Sequence, residues 1–220
     1  MDARNLLTDL EDRYGFLFLL LLLDIVLLLA LPVAAWSRML QAVVIAATML
    51  VAFHASRASA RVTRFATIGA TTAVVLVALT NLTDNPRLQG AAYLLNAVLL
   101  LVAIPTIVAR VARADTVTGR MVLGGISVYL LIGLLFSYLF LGYSALSNEP
   151  FFVQQGPHSP NDYVYFSYIT MATVGYGDLT PRGDVGRMLA VIDALLGQIF
   201  LVTAVARLVA AWQPRGLDQS

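Results

Sequence analysis

The 220-residue sequence contains no cysteine and no lysine, and charged residues make up only 12% of it. Without cysteine there are no disulfides, thiolate zinc sites, iron–sulfur clusters or cysteine nucleophiles. The net charge is +1, with basic and acidic residues interspersed, so the chain lacks the basic field that holds nucleic acid. We therefore exclude nucleic acid as a partner.

The low charge is matched by a high apolar content, with 59% hydrophobic residues and a mean hydropathy of +0.80. So few charges cannot cover this much apolar surface in water, which indicates a membrane protein. A spanning helix needs about 20 apolar residues. Six segments fit: Phe16 to Trp36, Met39 to Phe53, Phe65 to Leu82, Leu88 to Val108, Met121 to Tyr143 and Arg187 to Trp212. We expect an all-α fold in which the short second span borrows flanking residues.

The arginines are distributed unevenly between the two sides that these spans define. Most lie in the two terminal segments and in the loops after the second and fourth spans. The opposite side holds only Arg38, Arg87, Arg182 and Arg187. The positive-inside rule then predicts a multi-pass protein of the cell membrane with both termini in the cytoplasm.

The connection from Ser144 to Gly186 is much longer than the others and faces outward in this topology. It contains Ser159-Pro160-Asn161-Asp162, an N-cap followed by proline and an acid, which predicts the start of a helix. Such a helix, ending near Ala172, is too short to span. We expect it to dip into the membrane and return as extended chain.

The returning chain has the sequence Thr173-Val174-Gly175-Tyr176-Gly177, followed by Asp178. This pentapeptide resembles the selectivity-filter signature of the potassium channel superfamily, and it lies between the last two spans, where that family has its re-entrant segment. A ring of backbone carbonyls can replace the water shell of K⁺ without a fixed charge that would trap the ion. Glycine supplies the backbone conformations that such carbonyls need. The resemblance implies K⁺ sites at Thr173, Val174, Gly175 and Tyr176, and no cofactor beyond the permeant ion.

The resemblance also implies protein walls behind the filter. Tyr176 is expected to pack on pore-helix aromatics, for which Tyr165, Phe166 and Tyr168 are candidates. An interfacial aromatic belt is the alternative interpretation of Tyr163 and Tyr165. Asp178 is expected at the outer mouth, where it can concentrate cations; Asp184 and Glu149 fit solvated turns better.

The last span resembles the inner helix of bacterial potassium channels, with Gly197 at the position of the hinge glycine. Close helix packing is an alternative role for this glycine, and both can hold. Helical spacing gives one pore-lining stripe. Its members are Gln198, Leu201, Val205 and Val209.

One position departs from the best-known bacterial pores, which often carry glutamate four residues before the filter threonine. Here that residue is Ile169, and an acid appears instead at Asp193 in the last span. An acid inside a spanning helix is a functional candidate by default. Asp193 either accepts hydrogen bonds from Ser167 or Thr170 behind the filter, or places a charge in the cavity. We assign Tyr165, Phe166, Thr170 and Asp193 as filter support.

Four spans ahead of a pore resemble a voltage-sensor-like domain in topology alone. A working sensor needs about three to four gating charges in its fourth span. The span from Leu88 to Val108 has no arginine, and Arg110 and Arg113 fall at its cytoplasmic end. Asp24 and Asn96 are expected to find partners within the bundle.

These observations predict three parts: a voltage-sensor-like domain over residues 1–120, a pore domain over 121–213 and a cytoplasmic tail over 214–220. One filter strand per chain cannot encircle an ion, so we expect a homotetramer surrounded by lipid. The predicted function is passive potassium-selective conduction without strong voltage gating. Only eight residues follow Trp212, so we expect gating by tension, lipid, pH, the filter or an unidentified partner.

Two other function classes were weighed. A non-selective cation channel shares this architecture but usually departs at the filter tyrosine or second glycine, which are both present. A membrane enzyme or transporter needs paired ionisable groups at mid-membrane, and His54 and His158 do not form such a pair. We therefore predict that the protein is not an enzyme.

Overall fold

The computed structural model describes residues 3–56, 58–112, 119–147 and 149–210, and these residues form seven helices. The helices are α1 Ala3–Ala30, α2 Ala35–Ala55, α3 Ala60–Thr83, α4 Pro86–Ala112, α5 Gly119–Leu146, α6 Pro160–Met171 and α7 Gly183–Ala210. Arg113, Trp212 and the predicted tail lie outside the described residues.

Five of these helices are long and apolar enough to cross a membrane: α2, α3, α4, α5 from Val122 and α7 as far as Arg207. The apolar part of α1, Tyr14–Ala30, is shorter. The chain is thus a multi-pass helical membrane protein, and a sixth span through α1 stays a prediction.

The predicted boundary of the first span at Trp36 is wrong. Helix α1 ends at Ala30, and Trp36 lies in the first turn of α2. Pro32 has no N–H and disfavours helical backbone at Leu31, so it interrupts the apolar run. Ser37 completes the break: its Oγ accepts a hydrogen bond from the Ala34 N–H at 3.1 Å and donates to the Pro32 carbonyl at 2.6 Å. Helix α2 extends beyond Met39 to Phe53 at both ends, as expected.

Two of the first four helices, α1 and α4, pack directly against the part of the chain that follows α4. Helix α4 lies along α5, while α1 contacts both α5 and α6. The Asn161 side-chain amide at the start of α6 donates to the Leu29 carbonyl in α1 at 3.1 Å. The part of the chain that follows α4 therefore rests on α1 as well as on α4.

Buried polar residues lie inside the four-helix bundle. Asp24 is 3% exposed, and its Oδ2 lies 2.6 Å from the Thr48 hydroxyl oxygen, which confirms that it has a partner there. Asn96 is also buried, beside a cavity of about 40 Å³ that Tyr93 and Tyr138 help to line. The bundle therefore has polar groups in its interior but no arginine ladder in α4.

Candidate functional site

The short helix α6 forms where its capping residues predict it. It spans Pro160–Met171 with Ala172 as C-cap, and the Asp162 Oδ2 accepts a hydrogen bond from the Ser159 N–H at 2.7 Å. This carboxylate satisfies an N-terminal amide that has no partner within the helix. Both predicted ends of the short helix are confirmed.

The chain after α6 folds back so that successive amides point at the helix they leave. The N–H groups of Val174 and Gly175 donate to the Ile169 carbonyl at 2.9 and 3.2 Å. In a planar trans peptide the carbonyl of one residue points opposite to the N–H of the next residue. The carbonyls of Thr173 and Val174 therefore point away from α6. The backbone carbonyl of Ile169 thus holds residues 173–177, called the filter segment here after the signature they resemble.

Three alternate residues of the segment have left-handed backbone. Thr173, Gly175 and Gly177 have φ of 58°, 50° and 79°, while the intervening Val174 and Tyr176 do not have positive φ. The glycines adopt this region without a steric penalty. Thr173 does not, and nothing in the sequence indicated that a threonine would take this conformation.

The segment from Thr173 to Asp178 is exposed along its whole length in a single chain. Val174 is 50% exposed and Tyr176 is 72% exposed. Among the described residues of one chain, Tyr176 makes no ring contact with the expected partners Tyr165, Phe166 and Tyr168. Phe166 is buried against Phe140, and the Tyr168 hydroxyl donates to the Leu130 carbonyl in α5 at 2.8 Å. Both rings face α5, because α6 turns its aromatic side towards the rest of the chain.

The outer end of the segment is tied to α6 by Tyr165. Its hydroxyl donates to the Asp178 Oδ2 at 2.8 Å. This bond stabilises the protonated phenol and raises the pKa of Tyr165 above its ordinary value, so the hydroxyl stays a donor at physiological pH. The sequence suggested a ring contact or a membrane belt for Tyr165 and missed this bond to Asp178.

A cluster of aromatic rings holds the outer part of α6 against α5. Phe151 and Phe152 are almost fully buried, and Phe151 stacks on Phe140 with ring centroids 5.2 Å apart. Tyr163 joins this cluster and lies 2.6 Å from the Ser144 hydroxyl oxygen, so it is not a lipid-facing belt residue. The role of Phe151 and Phe152 was not predicted, because adjacent aromatics in a loop have no periodicity to read.

The same loop pairs with the chain that leaves the filter. The Val153 N–H donates to the Thr180 carbonyl at 2.9 Å, and the Arg182 N–H donates to the Phe151 carbonyl at 2.6 Å. Glu149 is exposed nearby, as expected for a solvated turn, whereas Asp184 is exposed but lies in the first turn of α7. The filter segment is therefore fixed at its exit as well as at its entrance.

Asp193 lies behind the filter segment and is fully buried. Its Oδ2 is 3.0 Å from the Ser167 hydroxyl oxygen in α6. Of the two positions considered from the sequence, the structure has the one behind the filter. Thr170, the other expected partner, contributes its backbone carbonyl, which accepts from the Thr173 N–H at 2.9 Å.

Gly197 lies where α7 crosses the end of α6. A Cβ at this position would lie 3.0 Å from the Met171 carbonyl oxygen and would collide with the Met171 side chain. Glycine is thus required for close packing, which was one of the two predicted roles. The neighbouring Gln198 side chain donates to the Met171 carbonyl at 3.4 Å, beneath the filter segment.

The rest of the predicted pore-lining stripe is exposed in the single chain. Leu201, Val205 and Val209 are 43%, 51% and 63% exposed. Leu201 and Val205 also border an apolar cavity of about 370 Å³ between α7, α5 and the end of α4. Their position around a pore axis stays a prediction.

The second half of the chain is similar to known proteins. Residues 128–213 match a family model described as an ion channel. A stretch of 54 residues is 46% identical to protein LctB of Bacillus caldotenax, and 48 residues are 48% identical to LctB of Geobacillus stearothermophilus. These stretches cover 24% and 22% of this chain and 40% and 35% of those proteins. Two-pore potassium channel 3 of Arabidopsis thaliana is 34% identical over 74 residues, which are 34% of this chain and 15% of that protein.

The chain thus spans two fifths or less of the curated relatives it matches. The family model starts at residue 128, so α1 to α4 lie outside it. The similarity to an ion-channel family is thus confined to α5, α6, α7 and the connections between them.

Proposed function

We propose that the chain is one subunit of a homotetrameric, potassium-selective channel that conducts K⁺ passively across the cell membrane, with both termini in the cytoplasm. Residues 1–120 form its voltage-sensor-like domain and residues 121–213 its pore. The observation that carries this proposal is the direction of the filter backbone. Amides bonded to Ile169 leave the carbonyls on the opposite, open side, in a segment with the sequence of a potassium filter.

In the proposed tetramer, four such segments face one axis. The carbonyls of Thr173, Val174, Gly175 and Tyr176 would replace the hydration shell of K⁺, while Asp178 lies at the mouth. The C-terminal ends of four α6 helices would direct partial negative charge towards an ion beneath the filter. Gly197 is the proposed hinge, and Gln198, Leu201, Val205 and Val209 line the inner pore. The signal that gates the channel would come from lipid or from an unidentified partner.

Assembly is supported by what a single chain leaves uncovered. Helix α7 presents Leu195, Ile199 and Val202 at 55%, 60% and 64% exposure on the face away from α5. One filter strand also provides one carbonyl per level, whereas an encircled ion needs several. Native mass spectrometry of the purified protein should give four chains, and a stable conducting dimer would refute the tetramer.

The function is tested by flux in liposomes loaded with purified protein. Potassium and rubidium should pass far faster than sodium. Gly175→Ala should abolish selective flux, because left-handed backbone costs a residue with a Cβ about 1–2 kcal/mol in every subunit. Nothing lies within 4 Å of a Cβ at position 175 in the chain, so the effect would come from the backbone.

Gly183→Ala is the matched control for this variant. Gly183 also has positive φ, 72°, and open space around a Cβ, but it lies at the start of α7 outside the filter. This variant should fold less stably and still select potassium. Equal potassium and sodium flux through the natural protein would favour the alternative, a non-selective cation channel of the same architecture.

A further inference from the structure

Three buried oxygen atoms behind the filter form a row that crosses three helices. The Asp193 Oδ2 in α7 lies 3.0 Å from the Ser167 Oγ in α6, and this Oγ lies 2.9 Å from the Gly133 carbonyl oxygen in α5. Asp193 and Ser167 are both 0% exposed. Both contacts are short enough to require a hydrogen between the oxygens.

The number of protons in this row decides the protonation of Asp193. A serine hydroxyl has one proton, a backbone carbonyl has none, and an ionised carboxylate only accepts. If Asp193 were ionised, the single proton of Ser167 would have to be shared between its two neighbours, or one pair of oxygens would face each other without a proton. If Asp193 is protonated, it donates to Ser167 and Ser167 donates to Gly133.

The surroundings of Asp193 favour the same state. Its Oδ1 is buried and has no hydrogen-bond partner among the described residues, and no described arginine or histidine forms an ion pair with Asp193. The titratable groups that face it are the phenols of Tyr129 and Tyr168, and the Tyr168 hydroxyl already donates to Leu130. A buried carboxylate without a counter-charge or a full set of donors is strongly unfavourable, whereas a neutral acid is tolerated.

We propose that Asp193 carries a proton in the conducting channel and acts as a positioning residue for the filter. Its O–H donates to Ser167 and, through Ser167, links α7 and α6 to α5. Helix α6 also holds the filter amides through Ile169, so a loss of this link would let the filter segment move. This role rests on the proposed channel function, but the presence of the proton does not.

The same pattern occurs at the other buried acid and must be separated in the test. The Thr48 hydroxyl oxygen lies 2.6 Å from the Asp24 Oδ2 and 2.9 Å from the Val44 carbonyl oxygen. Asp24 is therefore expected to give a second protonated-acid signal in any spectrum of the whole protein.

Infrared spectroscopy of the full-length channel in lipid bilayers tests the proton directly. The natural protein should show the carbonyl stretch of a protonated carboxylic acid, shifted in heavy water, and D193N should lose one component of it. D24N is the matched control and should lose a different component while keeping that of Asp193. A spectrum of D193N that matches the natural protein in this region would overturn the proposal.

Potassium flux then tests the positioning role. D193L, which has neither donor nor acceptor, should lose potassium-over-sodium preference. D193N should keep the preference for potassium over sodium, because an amide N–H donates to Ser167 as the acid does. Loss of this preference in D193N, with four chains still assembled, would overturn the positioning role. Absence of selectivity in the natural protein itself would refute the proposed function instead, and the infrared result would still decide the proton.

Discussion

At the scale of single residues, Thr173 is the strained position of the filter segment. Its φ of 58° costs a non-glycine residue about 1–2 kcal/mol. The strain is maintained because its own N–H bonds to Thr170 and the next two amides bond to Ile169. Strained backbone held by its surroundings is typical of functional sites. The hydrogen bonds to α6 therefore keep the segment in a conformation that an isolated peptide would leave.

Tyr165→Phe tests the bond at the outer end of this segment. The change removes the hydroxyl that donates to Asp178 and leaves the ring, so we expect flux that decays faster during sustained conduction. Tyr143→Phe is the matched control, since the Tyr143 hydroxyl makes no hydrogen bond to the described residues. Planar-bilayer recordings would measure the decay, and equal decay in both variants would contradict a role for the bond.

The raised pKa of Tyr165 sets the pH range of this bond. A tyrosine whose pKa is raised in the folded state contributes stability that is complete below about pH 10 and is lost as pH rises through the raised value. Decay of flux should therefore be independent of pH around neutrality for this group. Faster decay well below that range would have to come from another residue.

At the scale of helices, one close contact lies between α5 and α6. A Cβ at Gly133 would lie 2.5 Å from the Tyr168 ring. Gly133→Ala should push α6 away and destabilise the fold by about 1–3 kcal/mol, because overpacking forces backbone shifts. Gly125→Ala, on the same helix with nothing within 4 Å, should be neutral or slightly stabilising. Thermal unfolding in detergent compares the two, and equal effects would contradict the contact.

The absence of charge in α4 leads to a second prediction at this scale. Between Arg87 and Arg110 the helix has no acidic or basic side chain. Movement of α4 would therefore carry little charge through the membrane field. The slope of open probability against voltage should correspond to about one charge or fewer per tetramer. A steep slope, near the dozen charges of an arginine-laddered channel, would show that the sensor has been misplaced.

The helices themselves could be predicted because long apolar runs and local caps are one-dimensional signals. Ser159, Pro160 and Asp162 located α6, and the glycines of the filter indicated positive φ. The bond from Tyr165 to Asp178, the burial of Phe151 and the conformation of Thr173 could not be predicted. Each depends on which residues the fold brings together across the chain, and a single sequence does not record that. The end of α1 was misplaced because Pro32 interrupts an otherwise continuous apolar run.

At the scale of the whole molecule, the filter segment and one face of α7 are both left uncovered in a single chain. A conducting path needs the carbonyls of Thr173 to Tyr176 on one axis, and a single chain leaves that axis unenclosed. One side of α6 is already covered by α1 and α5. The filter segment remains uncovered, so further chains can be added on the face that carries it, which is the geometry a central pore requires.

The most direct test of this account is the reversal potential of single channels between potassium and sodium solutions. A potassium-selective filter predicts a potential that follows the potassium gradient, about 59 mV for each tenfold ratio, and stays insensitive to sodium. Gly183→Ala should give the same value, and Gly175→Ala should not give it in any channel that still opens. A reversal potential near zero, with potassium on one side and an equal concentration of sodium on the other, would contradict potassium selectivity.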